Sequence, residues 1–172
     1  MKLNWLVLIG IIFFLISCNE QIDKKNFPII RQEQPMQCGP ICIQMIGKYY
    51  GRNLDIKQLE VDAKMGDDGT SLLGLSEAAD IVGLNNLSVR ISFEKLVEDM
   101  PLPAIVHWNQ NHFVVVYHVT KSKVFVADPA GGKIEYSKKE FCESWIPKDT
   151  GFHKEGIVML FETTTEFYKE IK

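Results

Sequence analysis

The sequence lacks the features that mark several classes of protein. No run of Lys or Arg exceeds two residues, and 19 Lys and Arg face 22 Asp and Glu, for a net charge of −3. This balance argues against a basic nucleic-acid-binding domain, and we expect no nucleic-acid partner. Four cysteines in 172 residues are too few for a disulfide scaffold, and none form the CxxC pair of a zinc site. We accordingly expect no metal and no other cofactor.

Internal repeats and low-complexity tracts are also absent. Hydrophobic residues make up 46% of the chain and charged residues 24%, which is the composition of a folded globular protein rather than a disordered one. The length suits one domain of ordinary size with its own hydrophobic core.

The N-terminus carries an apolar run. Lys2 precedes twelve apolar residues at 5–16, which as a helix would reach about 18 Å, short of the roughly 30 Å hydrocarbon core of a bilayer. This is the form of a secretory signal peptide, residues 1–17. The run ends in Leu15-Ile16-Ser17-Cys18, which resembles a bacterial lipobox. We therefore expect a lipoprotein anchored to the membrane through lipidated Cys18, in the cell envelope facing the periplasm or the exterior. The alternative is an uncleaved, tilted anchor.

The remaining chain divides into a polar tether at 18–29, one domain at 30–167 and a short tail at 168–172. The domain begins with helical patterns: apolar residues follow Cys38 at three- and four-residue spacing until Gly51, and two further helices are predicted before Gly83. Strand patterns dominate afterwards, including a hairpin over residues 104–117 and a strand at 124–127, with short helices near 93–100 and 137–145. The predicted fold class is α+β, with N-terminal helices packed on an antiparallel β-sheet.

Cys38 is the candidate nucleophile. It precedes Gly39-Pro40 at the predicted start of a helix, where free N–H groups and the positive end of the helix dipole favour a thiolate. Cys42 and Cys142 each fall in an apolar helical stretch and are predicted to be core residues.

His112 is the histidine placed to assist it. If residues 109–111 form the hairpin loop, His112 faces Trp108 at the end of the strands, whereas His107 points to the other face and His118 lies about 20 Å away. His153 falls in a polar loop and is assigned no role. The opposed faces of His107 and His112 argue against a shared metal site.

Asp128 and two glutamines complete the candidate site. Asp128 ends the strand at 124–127, and an antiparallel neighbour of the His112 strand would present it beside His112 to orient the imidazole. Gln32 and Gln34 lie six and four residues before Cys38. Either amide, together with the Cys38 N–H, could stabilise an oxyanion.

Four motifs in this order resemble the bacteriocin-processing cysteine peptidases, which are papain-like domains that usually form the N-terminal part of ABC transporters. The motifs are QEQPMQCGP at 32–40, MIGKYYG at 45–51, NHFVV at 111–115 and VADPAGG at 126–132. The resemblance extends from about residue 30 to 167. It implies Cys38 as nucleophile, His112 as general base and acid, Asp128 as orienting residue and Gln32, rather than Gln34, in the oxyanion hole.

The resemblance also implies a substrate and a partner. The family cleaves leader peptides after a Gly-Gly pair, which releases bacteriocins or other small exported peptides. No Walker motif occurs in the 172 residues, so ATP binding is expected from a separate ABC transporter. Two other functions remain open: a cell-wall thiol hydrolase of the NlpC type, and a non-catalytic module that binds leader peptides.

Overall fold

The computed structural model describes residues 26–148 and 154–169. Five α-helices, six β-strands and a final 3₁₀ turn follow one another within these ranges. In chain order they are α1 (Cys38–Tyr49), α2 (Ile56–Asp62), α3 (Leu72–Ile81), β1 (Leu84–Ser92), α4 (Phe93–Asp99), β2 (Ala104–Trp108), β3 (His112–Val119), β4 (Lys123–Asp128), β5 (Gly132–Ser137), α5 (Lys138–Trp145), β6 (Glu155–Thr163) and the turn Glu166–Tyr168. The predicted α+β class, with helices before most of the strands, is confirmed.

The six strands form one antiparallel sheet in the order β1-β6-β2-β3-β4-β5. Trp108 pairs with His112 across the β2–β3 hairpin, as the sequence predicted. β4 lies between β3 and β5, which agrees with its apolar residues on both faces. β5 was not predicted, although Lys133-Ile134-Glu135-Tyr136 alternates between polar and apolar residues.

Helices cover both faces of the sheet. The first three helices pack against one set of strand residues, which includes Phe113, Val115 and Tyr117. The helices α4 and α5 cover the opposite face, with Val114 and Val116. Because successive side chains of a strand alternate between faces, β3 is apolar on both and forms the centre of the domain.

Side-chain caps fix where four of the helices begin. Asp55, Ser71, Ser92 and Ser137 each accept a hydrogen bond from a backbone N–H in the first turn of the helix that follows. Such caps satisfy one of the free donors at a helix N-terminus. The first helix has no side-chain cap, and the N–H of Gly39 in its first turn hydrogen-bonds to the sulfur of Cys38.

The packed domain begins before residue 30, where the sequence placed its start. Phe27 is 2% exposed, and its ring stacks on Tyr117 with centroids 4.9 Å apart. Phe27, which the sequence placed in the tether, therefore belongs to the core. The signal segment, Cys18, most of the tether, His153 and residues 170–172 lie outside the described residues. Within 26–148 and 154–169, no helix is long and apolar enough to cross a membrane.

Candidate active site

Cys38 is the first residue of α1 and is buried. Gly39 follows it, and a Cβ at Gly39 would lie 2.7 Å from the Leu75 side chain, so the helix start packs closely on α3. Burial raises the pKa of the Cys38 thiol, but hydrogen bonds from His112 and from the backbone N–H groups of Phe113 and Gly39 lower it by more. The net pKa lies below the ordinary value of a cysteine, which favours the nucleophilic thiolate.

His112 begins β3 and bridges Cys38 and Asp128. Its Nε2 lies 2.8 Å from Asp128 Oδ1, so Nδ1 is the ring nitrogen that is available to Cys38. Burial lowers the pKa of His112, but hydrogen bonds to Asp128 and Cys38 raise it to about 9. At neutral pH the imidazole is therefore protonated.

Asp128 is the last residue of β4 and is held by the turn that follows it. The Ala130 N–H donates to Asp128 Oδ1 over 2.8 Å, and Asp128 pairs with Gly132 on β5. Burial raises the pKa of Asp128, but hydrogen bonds from His112, Ala130 and Gly131 lower it by more. The carboxyl group is thus ionised and fixed beside the imidazole.

Gln32 lies in the coil before α1 and lines the same cleft as Cys38. Its Nε2 donates to the Gln34 carbonyl over 3.2 Å, and its backbone N–H donates to the Pro129 carbonyl over 3.0 Å. Gln34 is exposed and does not line the cleft. Of the two glutamines that the sequence offered, only Gln32 lies where its amide can face a group bound next to Cys38.

The cleft has a volume of about 500 Å³. Its walls come from the coil before α1, from the β2–β3 hairpin and from the turn after β4. The residues that line it are Gln32, Pro35, Met36, Cys38, Trp108, Asn109, Asn111, His112, Asp128 and Ala130. All four residues that the sequence proposed for catalysis therefore share one cleft. A second cleft of about 550 Å³ runs along α5 and contains none of them.

The remaining described histidines lie elsewhere. His107 pairs with Phe113 and its ring stacks on that of Phe113, on the face of the sheet opposite His112. Burial and the charge of Arg90 lower the pKa of His107. His118 lies six residues along β3, against Phe125. Within the described ranges, no cluster of His, Cys, Asp and Glu could hold a metal ion.

The two other described cysteines differ in burial. Cys42 is fully buried, its Sγ donates to the Phe113 carbonyl over 3.4 Å, and burial raises its pKa well above the ordinary value. It is a core residue, as predicted. Cys142 is partly exposed on α5 and packs against the edge of the second core, so it is less buried than expected.

Sequence reasoning missed two residues that shape this cleft. Gln37, 4% exposed, accepts hydrogen bonds from the N–H groups of Glu33 and Gln34 and donates to Glu60. Arg31 donates to the Ala130 carbonyl. The bonds from Gln37 to Glu60 and from Arg31 to Ala130 join residues distant in sequence, and the polar surroundings of Gln37 and Arg31 in the chain give no local signal.

The sequence is similar to those of known proteins. Residues 26–148 match the peptidase C39 family. The chain is 34% identical to the lactococcin-G-processing and transport ATP-binding protein LagD of Lactococcus lactis subsp. lactis, over 81% of this chain and 21% of that protein. It is 37% identical to the pediocin PA-1 transport/processing ATP-binding protein PedD of Pediococcus acidilactici, over 63% of this chain and 16% of that protein. The matches thus span about a fifth of the length of these relatives.

Solved structures share the fold. A double-glycine-motif protease from an AMS/PCAT transporter, in complex with the leader peptide, superposes with a TM-score of 0.71 at 32% identity, over 80% of this chain and 91% of that one. The peptidase domain of Streptococcus ComA, a bifunctional ABC transporter, gives a TM-score of 0.70 at 25% identity, over 80% of this chain and 99% of that one. The chain therefore belongs to the peptidase C39 family, and its fold is the papain-like fold of double-glycine peptidases.

Proposed function

We propose that this chain is a cysteine endopeptidase that cleaves exported peptides after the Gly-Gly pair that ends their leader. The observation that carries the proposal is the hydrogen-bonded chain from Cys38 through His112 to Asp128 in the wall of the cleft. A nucleophile, a base within reach and a third group that orients the base are the parts that covalent acyl transfer requires.

The first half of the reaction forms a thioester. The Cys38 thiolate attacks the carbonyl carbon of the second glycine, and the negative charge moves to the carbonyl oxygen. The Gln32 amide and the Cys38 N–H, which as a first-turn donor has no partner within the helix, stabilise this oxyanion. The imidazolium of His112 then donates its proton to the leaving amine, which departs as the new N-terminus of the mature peptide.

The second half releases the leader. Neutral His112 accepts a proton from a water molecule that attacks the thioester carbonyl, and the sulfur leaves as the thiolate. The leader departs with a free carboxyl group, and His112 is again protonated. Asp128 stays ionised throughout and keeps the ring in the orientation that both proton transfers need.

The Gly-Gly junction suits the geometry of the cleft. A peptide must pass between the coil at Pro35 and Met36 and the hairpin at Trp108, and two residues without side chains can approach Cys38 most closely. The similar protease from the AMS/PCAT transporter is a double-glycine-motif protease in complex with the leader peptide, which supports the same substrate class here.

The test compares two cysteines of one helix. A synthetic peptide with a Gly-Gly junction is incubated with the protein, and the products are identified by mass spectrometry. We expect Cys38→Ala to abolish cleavage and Cys42→Ala to retain it, since Cys42 is buried and faces the Phe113 carbonyl. Equal activity in both variants would remove Cys38 from the mechanism. Release of fragments from peptidoglycan but not from the peptide would favour the cell-wall hydrolase instead.

We propose, in addition, that the protein is a lipoprotein of the cell envelope and works beside a separate ABC transporter. The lipobox-like Leu15-Ile16-Ser17-Cys18 supports the anchor, and the names of the transport ATP-binding relatives support the partner. Metabolic labelling with an alkyne fatty acid tests the anchor. We expect label in the wild type and none in Cys18→Ala, which should also leave the membrane fraction. An unlabelled wild-type protein that stays in the membrane would indicate the uncleaved anchor.

A further inference from the structure

Arg31 connects the coil that carries Gln32 to the turn that follows Asp128. The Arg31 Nη1 donates to the Ala130 carbonyl, and the backbone N–H of the next residue, Gln32, donates to the Pro129 carbonyl over 3.0 Å. These two bonds join segments about a hundred residues apart in sequence, and each segment supplies one side of the cleft.

The turn is shaped to receive the guanidinium. Gly132 has a φ of +89°, and a Cβ at this position would lie 2.7 Å from Arg31 Nη2 and 3.1 Å from Arg31 Cζ. The guanidinium therefore packs directly against backbone that has no side chain. A side chain at Gly132 would displace the end of the Arg31 side chain, and the positive φ itself favours glycine.

Of the coil before α1 and the turn after β4, the turn is held in place by bonds that do not involve Arg31. It is closed by the β4–β5 pairs Ala127 with Lys133 and Asp128 with Gly132, and by the bond from Ala130 N–H to Asp128. The coil around Gln32 belongs to no helix or strand. Loss of the Arg31 bond would consequently loosen the coil at Gln32, where the N–H bond to the Pro129 carbonyl remains, while the turn stays in place.

We propose that Arg31 is a positioning residue that holds the backbone of Gln32 against the turn, so that the side chain of Gln32 stays in the cleft within reach of an oxyanion formed at Cys38. The expected effect of Arg31 on kcat rests on the proposed function, whereas its expected effect on the position of Gln32 does not. Since the oxyanion exists in the transition state and not in the bound peptide, a misplaced amide lowers kcat and leaves KM nearly unchanged.

The kinetic experiment uses Arg31→Ala, Arg31→Lys and a matched control, Arg52→Ala. Arg52 also donates to backbone carbonyls, those of Val82 and Phe167, but contacts no residue that lines the cleft. We expect kcat for a Gly-Gly peptide to fall about 10- to 100-fold in Arg31→Ala, with KM within about threefold of wild type. The lysine variant, which keeps a donor for the Ala130 carbonyl, should recover part of the loss. The control should lower the melting temperature and leave kcat unchanged.

Two further measurements separate this inference from the proposed function. In a Gln32→Ala background, Arg31→Ala should lower kcat little further, because both changes remove the same interaction. If the fold-reductions in kcat of the two single variants multiply in the double variant, the inference is overturned. Amide hydrogen exchange needs no substrate. We expect exchange at Gln32 to rise about tenfold in Arg31→Ala, with the amides of residues 126–134 unchanged. If wild type does not cleave the peptide, the proposed function fails and exchange alone decides: unchanged protection at Gln32 would overturn the role of Arg31.

Discussion

His112 Nε2 lies 2.8 Å from Asp128 Oδ1, and this contact directs the other ring nitrogen toward Cys38. The arrangement depends on two antiparallel neighbours: His112 is the first residue of β3, and Asp128 is the last residue of β4. The ends of the two strands thus place an imidazole and a carboxylate side by side. The start of α1 supplies the sulfur.

In the proposed mechanism, we expect the charge of Asp128 to set the alkaline limit of activity. His112 must be protonated to donate to the leaving amine, and its pKa is raised to about 9, so kcat/KM should fall as the pH rises through about 9. Asp128→Asn removes the negative charge that favours the imidazolium, and we expect the alkaline limb to move down by about 1 to 3 pH units. The measurement is kcat/KM against pH. Asp67→Asn, in an exposed loop, is the control, and an unmoved limb in Asp128→Asn would contradict the assigned role.

Gly131 has no side chain, and the Asp128 carboxylate lies in the room that this leaves. A Cβ at Gly131 would lie 2.9 Å from Asp128 Oδ2 and 2.8 Å from Ile134 Cδ1. We expect Gly131→Ala to displace the carboxylate and to lower kcat by about 10- to 100-fold, measured by steady-state cleavage of a Gly-Gly peptide. Gly66→Ala is the matched control, because nothing lies within 4 Å of a Cβ there. Equal kcat in the two variants would show that the carboxylate tolerates the added methyl group.

The parts of the site that depend on neighbouring residues in the chain were predictable from the sequence. Pro40 in the first turn indicates a helix start at Cys38, and the apolar strands on either side of residues 109–111 predict the pairing of Trp108 with His112. Asp128 is recognisable because it ends an apolar strand and precedes a Pro-Ala-Gly-Gly turn. Each of these inferences needs only neighbouring residues and the two-residue period of a strand.

Other parts depend on contacts that the chain makes at long range. β5 is a short edge strand, and its alternating residues run directly into the capped start of α5 at Ser137, so no turn marks its end. β1 already begins at Leu84, because pairing with β6 outweighs the low strand propensity of Asn85 and Asn86. Asn86 is in addition held by hydrogen bonds to Ser76 and Asp80. Tertiary partners of this kind are not visible in a local pattern.

A negative charge introduced at position 37 should destabilise the fold. The Gln37 Nε2 donates to Glu60, and this hydrogen bond is the main cause that lowers the pKa of Glu60. Gln37→Glu would place a second carboxylate beside that of Glu60. The hydrogen bond between the two side chains would be lost at a buried position, which costs about 1–3 kcal/mol. We expect reduced stability to urea at pH 7 and a smaller difference from wild type near pH 4, where one carboxyl is protonated.

Gln58→Glu provides the control for that change. Gln58 also donates to a carboxylate, that of Asp62 over 2.8 Å, but the pair is exposed on α2, where solvent screens the repulsion. We expect its unfolding midpoint to stay close to that of wild type. A loss of stability in Gln37→Glu that is the same at pH 4 and pH 7 would argue against repulsion from Glu60.

Phe27 ties the start of the domain to the strand that carries His112. Its ring stacks on Tyr117 of β3 and lies 5.5 Å from the ring of Tyr49 in α1, only a few residues before Arg31 and Gln32. Phe27→Ala should lower the free energy of unfolding by about 3–5 kcal/mol, the usual cost of removing a buried aromatic ring, as measured by urea denaturation. Ile29→Ala, at a position 38% exposed, should cost much less. If the two variants unfold alike, the domain begins nearer residue 30, and the coil before α1 is held by its bonds to the Asp128 turn rather than by the core.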